Sequence, residues 1–282
     1  MLFRSFKNTK KIPEIIQTKI PPNCDPEIFE REVITSFEKL QVKRIDLLAI
    51  HGINTAEHLH HAIKDGGCIS NELSKIFPEK NLAYLSGPTF AAEVVRGFPS
   101  AATLAMKYLE DSQRLAQQLS SKTFRIYSSS DLVGVQVGGA LKNVLAIASG
   151  MAKGVGFGEN SQAALITRGL SEMRRLATAL GGYSETLSGL SGLGDVLLSC
   201  SSRQSRNFLF GELLGNGNGK HIAREKIGGV VEGWFSTSSV MKKQKELGID
   251  LPICKTVYDI LYNEKDIRVS VSELLNRPIK PE

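Results

Sequence analysis

The stretch from Asp131 to Asn160, DLVGVQVGGALKNVLAIASGMAKGVGFGEN, constrains the fold more than any other, because it sets one lysine, Lys142, inside an otherwise apolar helical run. At helical spacing Val133, Val137, Leu141, Val144 and Ala148 form one stripe, while Gly138 and Gly139 lie one turn before Lys142 on another face. Each of two adjacent glycines weakens a helix by roughly 1 kcal/mol relative to alanine, so the pair predicts close approach of some object to the backbone. A ligand is one such object and a packed neighbouring helix is the other. Lys142 is accordingly either a solvated lysine at a core edge or a group held for chemistry.

Upstream of this helix the pattern alternates. Ile12 to Ile20 reads as a strand stopped by Pro21-Pro22-Asn23, and Asp25, Pro26 and Glu27 then open a helix whose apolar side is Phe29, Val33, Phe37 and Leu40. Ile45 to Ile50 is a buried-type strand, so the three elements predict a parallel βαβ unit. Strands are next expected at Ala83 to Ser86, Ala101 to Met106 and Phe124 to Ser128, with a helix over Asp111 to Ser121. Gly87-Pro88 breaks the first of these strands, and Thr89 is placed to cap a helix of Phe90, Ala91, Val94 and Val95. Beyond Asp131 strand signals nearly vanish. Ile166, Leu170, Met173, Ala177 and Leu180 trace a helix closed by Gly181-Gly182, and a helical tail runs from Ser236 with Pro252 interrupting it. The expected fold class is α/β followed by all-α.

Between those helices lies GLSGLGDVLLSCSSRQSRN, in which Gly189, Gly192 and Gly194 make a tight loop delivering Asp195 to a helix start, as a cap or as a functional carboxylate. Ser205, Arg206 and Asn207 set a hydroxyl, a guanidinium fork and a carboxamide side by side, a set suited to phosphate and diol oxygens and equally to a capped helix start. The net charge of +6 favours anionic small molecules, and no Lys/Arg block or basic-aromatic run marks a nucleic-acid surface. The four cysteines form no C-x-x-C pair, which fits reduced thiols in a cytoplasmic compartment. No uninterrupted apolar stretch reaches membrane-span length, and His58, His60 and His61 read as a solvated helical cluster, so no metal is expected.

Two resemblances enter with these motifs. QTKI and KRIDLLAIH resemble two consecutive strands of an aldo/keto reductase barrel, which implies that Lys19 and His51 match two members of that family's catalytic tetrad. From about Ser70 onward, LSGPTFAAEV, GGALKNVLAIASG, NSQAALITRGLSEM, GLSGLGD, SRN and VVEG resemble, in order, NAD(P)-dependent glycerol-3-phosphate dehydrogenase. That resemblance implies Lys142 as proton acceptor, with Gly87, Thr89, Asp195, Ser205, Arg206 and Asn207 at glycerol 3-phosphate or dihydroxyacetone phosphate. It also implies Ala91, Arg206, Val230 and Glu232 at NAD or NADP, and it is compatible with a homodimer. A lysine serves as base only when its pKa falls from about 10.4 towards neutrality, which burial favours.

The dinucleotide fingerprint G-x-G-x-x-G is absent; GVGFG and GNGNG have neither its spacing nor a preceding strand and read as loops. The family's second substrate lysine, in a K-G motif, has no match; the nearest candidate, Lys64 in KDGG, lies in the reductase-like segment. The expected organisation is thus an aldo/keto reductase-like βαβ fragment over 1–69, a remnant of an incomplete Rossmann-like dinucleotide-binding part over 70–130, and a helical substrate domain over 131–282. The rival expectation is a catalytically inactive chain keeping a phosphate-binding or dimerising helical domain.

Overall fold

The computed structural model describes residues 17–20, 47–50, 82–276 and 278. The chain divides into two compact units, Met1–Gly67 and Cys68–Glu282. In the first, β1 (Gln17–Ile20) and β2 (Leu47–Ile50) pair in parallel, with Gln17 opposite Leu47 and Ile20 opposite Ile50. The expected helix from Asp25, His51, the histidines at 58, 60 and 61, and Lys64 lie outside the described residues.

The second unit opens with β3 (Ala83–Ser86), α1 (Ala91–Val95), β4 (Ser100–Met106), α2 (Leu109–Leu119) and β5 (Phe124–Ser129). The strand order is β3-β4-β5, antiparallel between β3 and β4 and parallel between β4 and β5. Alternation puts Leu104 and Ile126 on one face, where they meet Ala116, Leu115 and Leu119 of α2 in a small core. Thr89 does not cap α1: Phe90 holds the cap position without a side-chain bond, and the Thr89 hydroxyl donates to the Gly87 carbonyl at 3.2 Å.

Every later element is helical. α3 (Leu132–Gly154) begins at Asp131, whose carboxylate accepts from the N–H of Gly134 at 2.8 Å and of Tyr183 at 2.9 Å. Its residues from Asn143 to Ala152 are buried on all sides, so it is the central helix of the unit. This is also the one described helix long and apolar enough to cross a membrane, with 72% of the relevant window buried inside the fold. Around it pack α4 (Glu159–Ala179), α5 (Asp195–Ser201), α6 (Arg206–Gly215), α7 (Lys220–Ile227), α8 (Glu232–Leu247), α9 (Pro252–Tyr262) and α10 (Ile267–Leu275). A 3-10 turn (Ser184–Ser188) and a π turn (Leu190–Gly194) lead into α5.

Several boundaries differ from the sequence expectation: the helix expected over Asp111 to Ser121 is Leu109–Leu119, and β4 and β5 each gain one residue, Ser100 and Ser129. The tail helix starts at Glu232 rather than Ser236, and Pro252 opens α9 at its first turn instead of interrupting a helix, since proline lacks only an N–H that is unpaired there anyway. The α3 glycines serve different neighbours. A Cβ on Gly138 would lie 2.1 Å from the Ser191 carbonyl oxygen, so the π turn packs on that backbone, whereas Gly139 faces the hydroxyls of Ser86 and Tyr84.

Candidate functional site

Lys142 lies on the α3 face freed by Gly138 and Gly139, and its Nζ stands 2.5 Å from Oδ2 of Asp195. The carboxylate side chain is 3% exposed and that of the lysine 23%. Asp195 is the first residue of α5, with Gly194 in the cap position, so this carboxylate pairs with an ammonium and does not cap. Burial pushes the Asp195 carboxyl above its ordinary value, against the opposing pull of the Lys142 ammonium and of the hydroxyls of Ser86 and Ser199. Those hydroxyls donate to it at 3.4 Å and 3.5 Å. Behind the pair the Cys200 thiol is buried and free, its pKa raised by burial and by the Asp195 charge.

A second polar group adjoins the first through the neighbouring residue. Asn143 donates to Oε2 of Glu232 at 3.2 Å and accepts from the Asn207 amide at 3.0 Å, and Asn207 in turn accepts the Gly233 N–H at 2.9 Å. The carboxamides thus lock α3, α6 and the start of α8 together. Arg206 stands 4.0 Å from Glu232 with its side chain 51% exposed, leaving guanidinium donors open to a ligand. Ser205 is the α6 N-cap, accepting the Phe208 N–H at 3.3 Å.

The structure therefore brings Lys142 to Asp195 and Arg206 to Glu232, with Asn207 linked to Glu232 through Asn143. Gly87 is buried in the turn after β3, where a Cβ would lie 2.8 Å from the Ala102 Cα; Pro88 beside it packs near Gly194. Gln204 donates to Glu93 at 3.2 Å, tying α1 to the loop before Ser205. Ala91 is exposed and Val230 half-buried, and neither is joined to the polar groups by a described hydrogen bond. No cluster of three metal-ligating side chains occurs among the described residues. Sequence reasoning passed over Asn143 and Ser86. A carboxamide directly after the lysine in an apolar run was a usable signal for Asn143; nothing local marked Ser86, whose partner is 109 positions away.

An acid, a lysine and an exposed arginine arranged in this way can exchange a proton beside a bound anion. Residues 131–272 match the family described as NAD-dependent glycerol-3-phosphate dehydrogenase C-terminus, and residues 26–112 match its N-terminus. The N-terminal match begins at residue 26 and so covers most of the stretch expected to be an aldo/keto reductase fragment. Glycerol-3-phosphate dehydrogenase [NAD(P)+] of Aliivibrio fischeri is 48% identical over 203 residues, 72% of this chain and 59% of its own. That of Agrobacterium fabrum is 45% identical over 217 residues, 77% of this chain and 65% of its own. The chain thus spans about three fifths of the length of these relatives. The crystal structure of glycerol-3-phosphate dehydrogenase from Coxiella burnetii superposes with a TM-score of 0.78 at 36% identity, covering 93% of this chain and 77% of that one. With half of its length matched by the C-terminal model alone, the chain belongs to the NAD-dependent glycerol-3-phosphate dehydrogenase family.

Proposed function

We propose that the chain interconverts sn-glycerol 3-phosphate and dihydroxyacetone phosphate with NAD or NADP, through a proton-transfer centre built on Lys142. The observation that carries this reading is the 2.5 Å contact between Lys142 and the buried Asp195, beside the network holding Arg206. In the oxidising direction the Lys142 amine accepts the proton of the secondary hydroxyl; in the reducing direction its ammonium returns a proton to the carbonyl oxygen. Asp195 orients the amine. Arg206 takes the substrate phosphate in planar, bidentate fashion, with Ser205, Asn207, Gly87 and Thr89 around the substrate. Because the Ser205 and Thr89 hydroxyls already serve a cap and a turn, their part is to shape the pocket wall.

The described residues fit one end of a nicotinamide dinucleotide. Arg206 and Glu232 keep half-exposed polar heads next to the network, and Ala91 and Val230 complete the assigned set. When bound, the nicotinamide exchanges hydride with the substrate carbon. No G-x-G-x-x-G loop exists in this sequence to hold the pyrophosphate. The names of the relatives support the cofactor and substrate assignment, and a cytoplasmic homodimer is the accompanying proposal. For residues 1–69 the parallel β1-β2 pair suits the aldo/keto reductase-like reading and a dinucleotide-binding sheet equally, and the family's N-terminal match over residues 26–112 supports the second.

The test is NADH oxidation by dihydroxyacetone phosphate, comparing the wild-type chain with Lys142→Ala. Loss of turnover in the variant by about 10²-fold or more is the expected result for a general acid-base residue. A folded wild-type chain without turnover refutes the catalytic reading and leaves phosphate binding as the function.

A further inference from the structure

Away from Lys142, α7, α8 and α9 enclose a cleft of about 260 Å³ lined by Lys220, His221, Arg224, Trp234, Tyr262 and Glu264. Lys220, His221 and Arg224 stand at positions i, i+1 and i+4 of α7, so three nitrogen-bearing side chains share one side of that helix. The opposite wall is aromatic, with the Trp234 and Tyr262 rings 5.4 Å apart. The Arg224 guanidinium lies over the indole, 5.4 Å from its centroid. The Tyr262 hydroxyl donates to the Trp234 carbonyl at 2.8 Å, which fixes the aromatic wall. Lys220 donates to the Leu261 carbonyl at 2.8 Å and stands 3.6 Å from Glu264, whose side chain is 86% exposed against 27% for the lysine. Lys220 is thus held by a carbonyl and Arg224 lies on the indole, while the acid that faces them is largely exposed to water. A guanidinium laid on an indole keeps its in-plane N–H donors free, which is the geometry arginine uses for tetrahedral oxyanions.

We propose that this cleft is a second ligand site, distinct from the Lys142 centre, that binds the phosphate group of a small phosphorylated molecule against the aromatic wall. The volume suits a phosphate with a short or flat body and is below that of most drug-sized pockets. An occupant bears directly on the first turn of α8, because Trp234 follows by two positions the Glu232 that Asn143 holds.

Trp234 is the sole tryptophan of the chain, so its emission reports on the cleft. Phenyl phosphate titrated into the full chain is expected to give a saturable change in that emission. Arg224→Gln should raise the half-saturating concentration by about tenfold, whereas Arg206→Gln, which alters the other site, should leave it within about twofold. His221→Gln, a change at an exposed side chain, should raise it by about threefold and decides the matter if the Arg224 variant does not fold. Absence of a saturable response, unchanged half-saturation in the folded cleft variants, or a response lost only in Arg206→Gln would each overturn the proposal.

Discussion

Lys142 and Asp195 form an ion pair whose carboxylate is buried, and in the proposed reaction that carboxylate orients the lysine for proton transfer. Replacing Asp195 by Asn keeps the size of the side chain and removes its charge. The expected outcome is a fall in kcat of about 10²-fold or more with little change in the KM for dihydroxyacetone phosphate, measured by steady-state NADH oxidation. Asn143 acts differently, through Asn207 and Glu232. Asn143→Ala strands the buried Asn207 amide and frees the half-exposed Glu232, so it should both weaken substrate binding and cost about 1–3 kcal/mol of stability, read from urea denaturation. At this scale the sequence was informative where a residue type was out of place. A lysine among glycines and apolar residues stood out, as did the aspartate after GLSGLG. The hydroxyls of Ser205 and Thr89 were not legible in the same way, because a cap and a ligand contact require the same side chain and only the backbone position separates them.

Helix packing in this unit depends on backbone meeting backbone. Gly150 and Gly154 of α3 face Gly211 and Gly215 of α6, and a Cβ on Gly211 would sit 2.1 Å from the Ile147 carbonyl oxygen. Gly211→Ala should therefore destabilise the protein by about 1–3 kcal/mol in urea unfolding. Gly158→Ser, at an open helix start, should stay within about 0.5 kcal/mol of wild type. The same geometry explains why the start of α8 escaped the sequence. Gly233 reads as a breaker, yet it is a helical glycine whose missing Cβ would lie 2.5 Å from the Asn143 carbonyl oxygen. A long-range cap was likewise hidden. Glu172 of α4 accepts the N–H groups of Ile253 and Cys254 at 2.6 Å and 3.1 Å, anchoring α9. Burial outweighs those bonds and the charge of Arg175, and pushes the Glu172 carboxyl from the ordinary 4.5 up to about 7. The folded state then holds more protons than the unfolded state between those values, so this group's contribution is fully present below about pH 4.5 and lost as pH rises through about 7. Urea midpoints at about pH 5.5 and about pH 8 should differ less in Glu172→Gln than in wild type.

For the whole molecule, the switch from alternating strands and helices to helices alone was readable at Asp131, because periodicity changes there and the apolar run exceeds strand length. Which strands run antiparallel was not readable, since β3 and β4 carry no signal for direction. Ser86, on the last position of β3, donates to the carboxylate that meets Lys142, so the small sheet and the helical layer share that ion pair. A chimera of two homologues with its seam upstream of β3 keeps hydroxyl and carboxylate from one parent. A seam between β3 and α5 hands the Lys142–Asp195 pair's supporting hydroxyl to a different parent from the carboxylate.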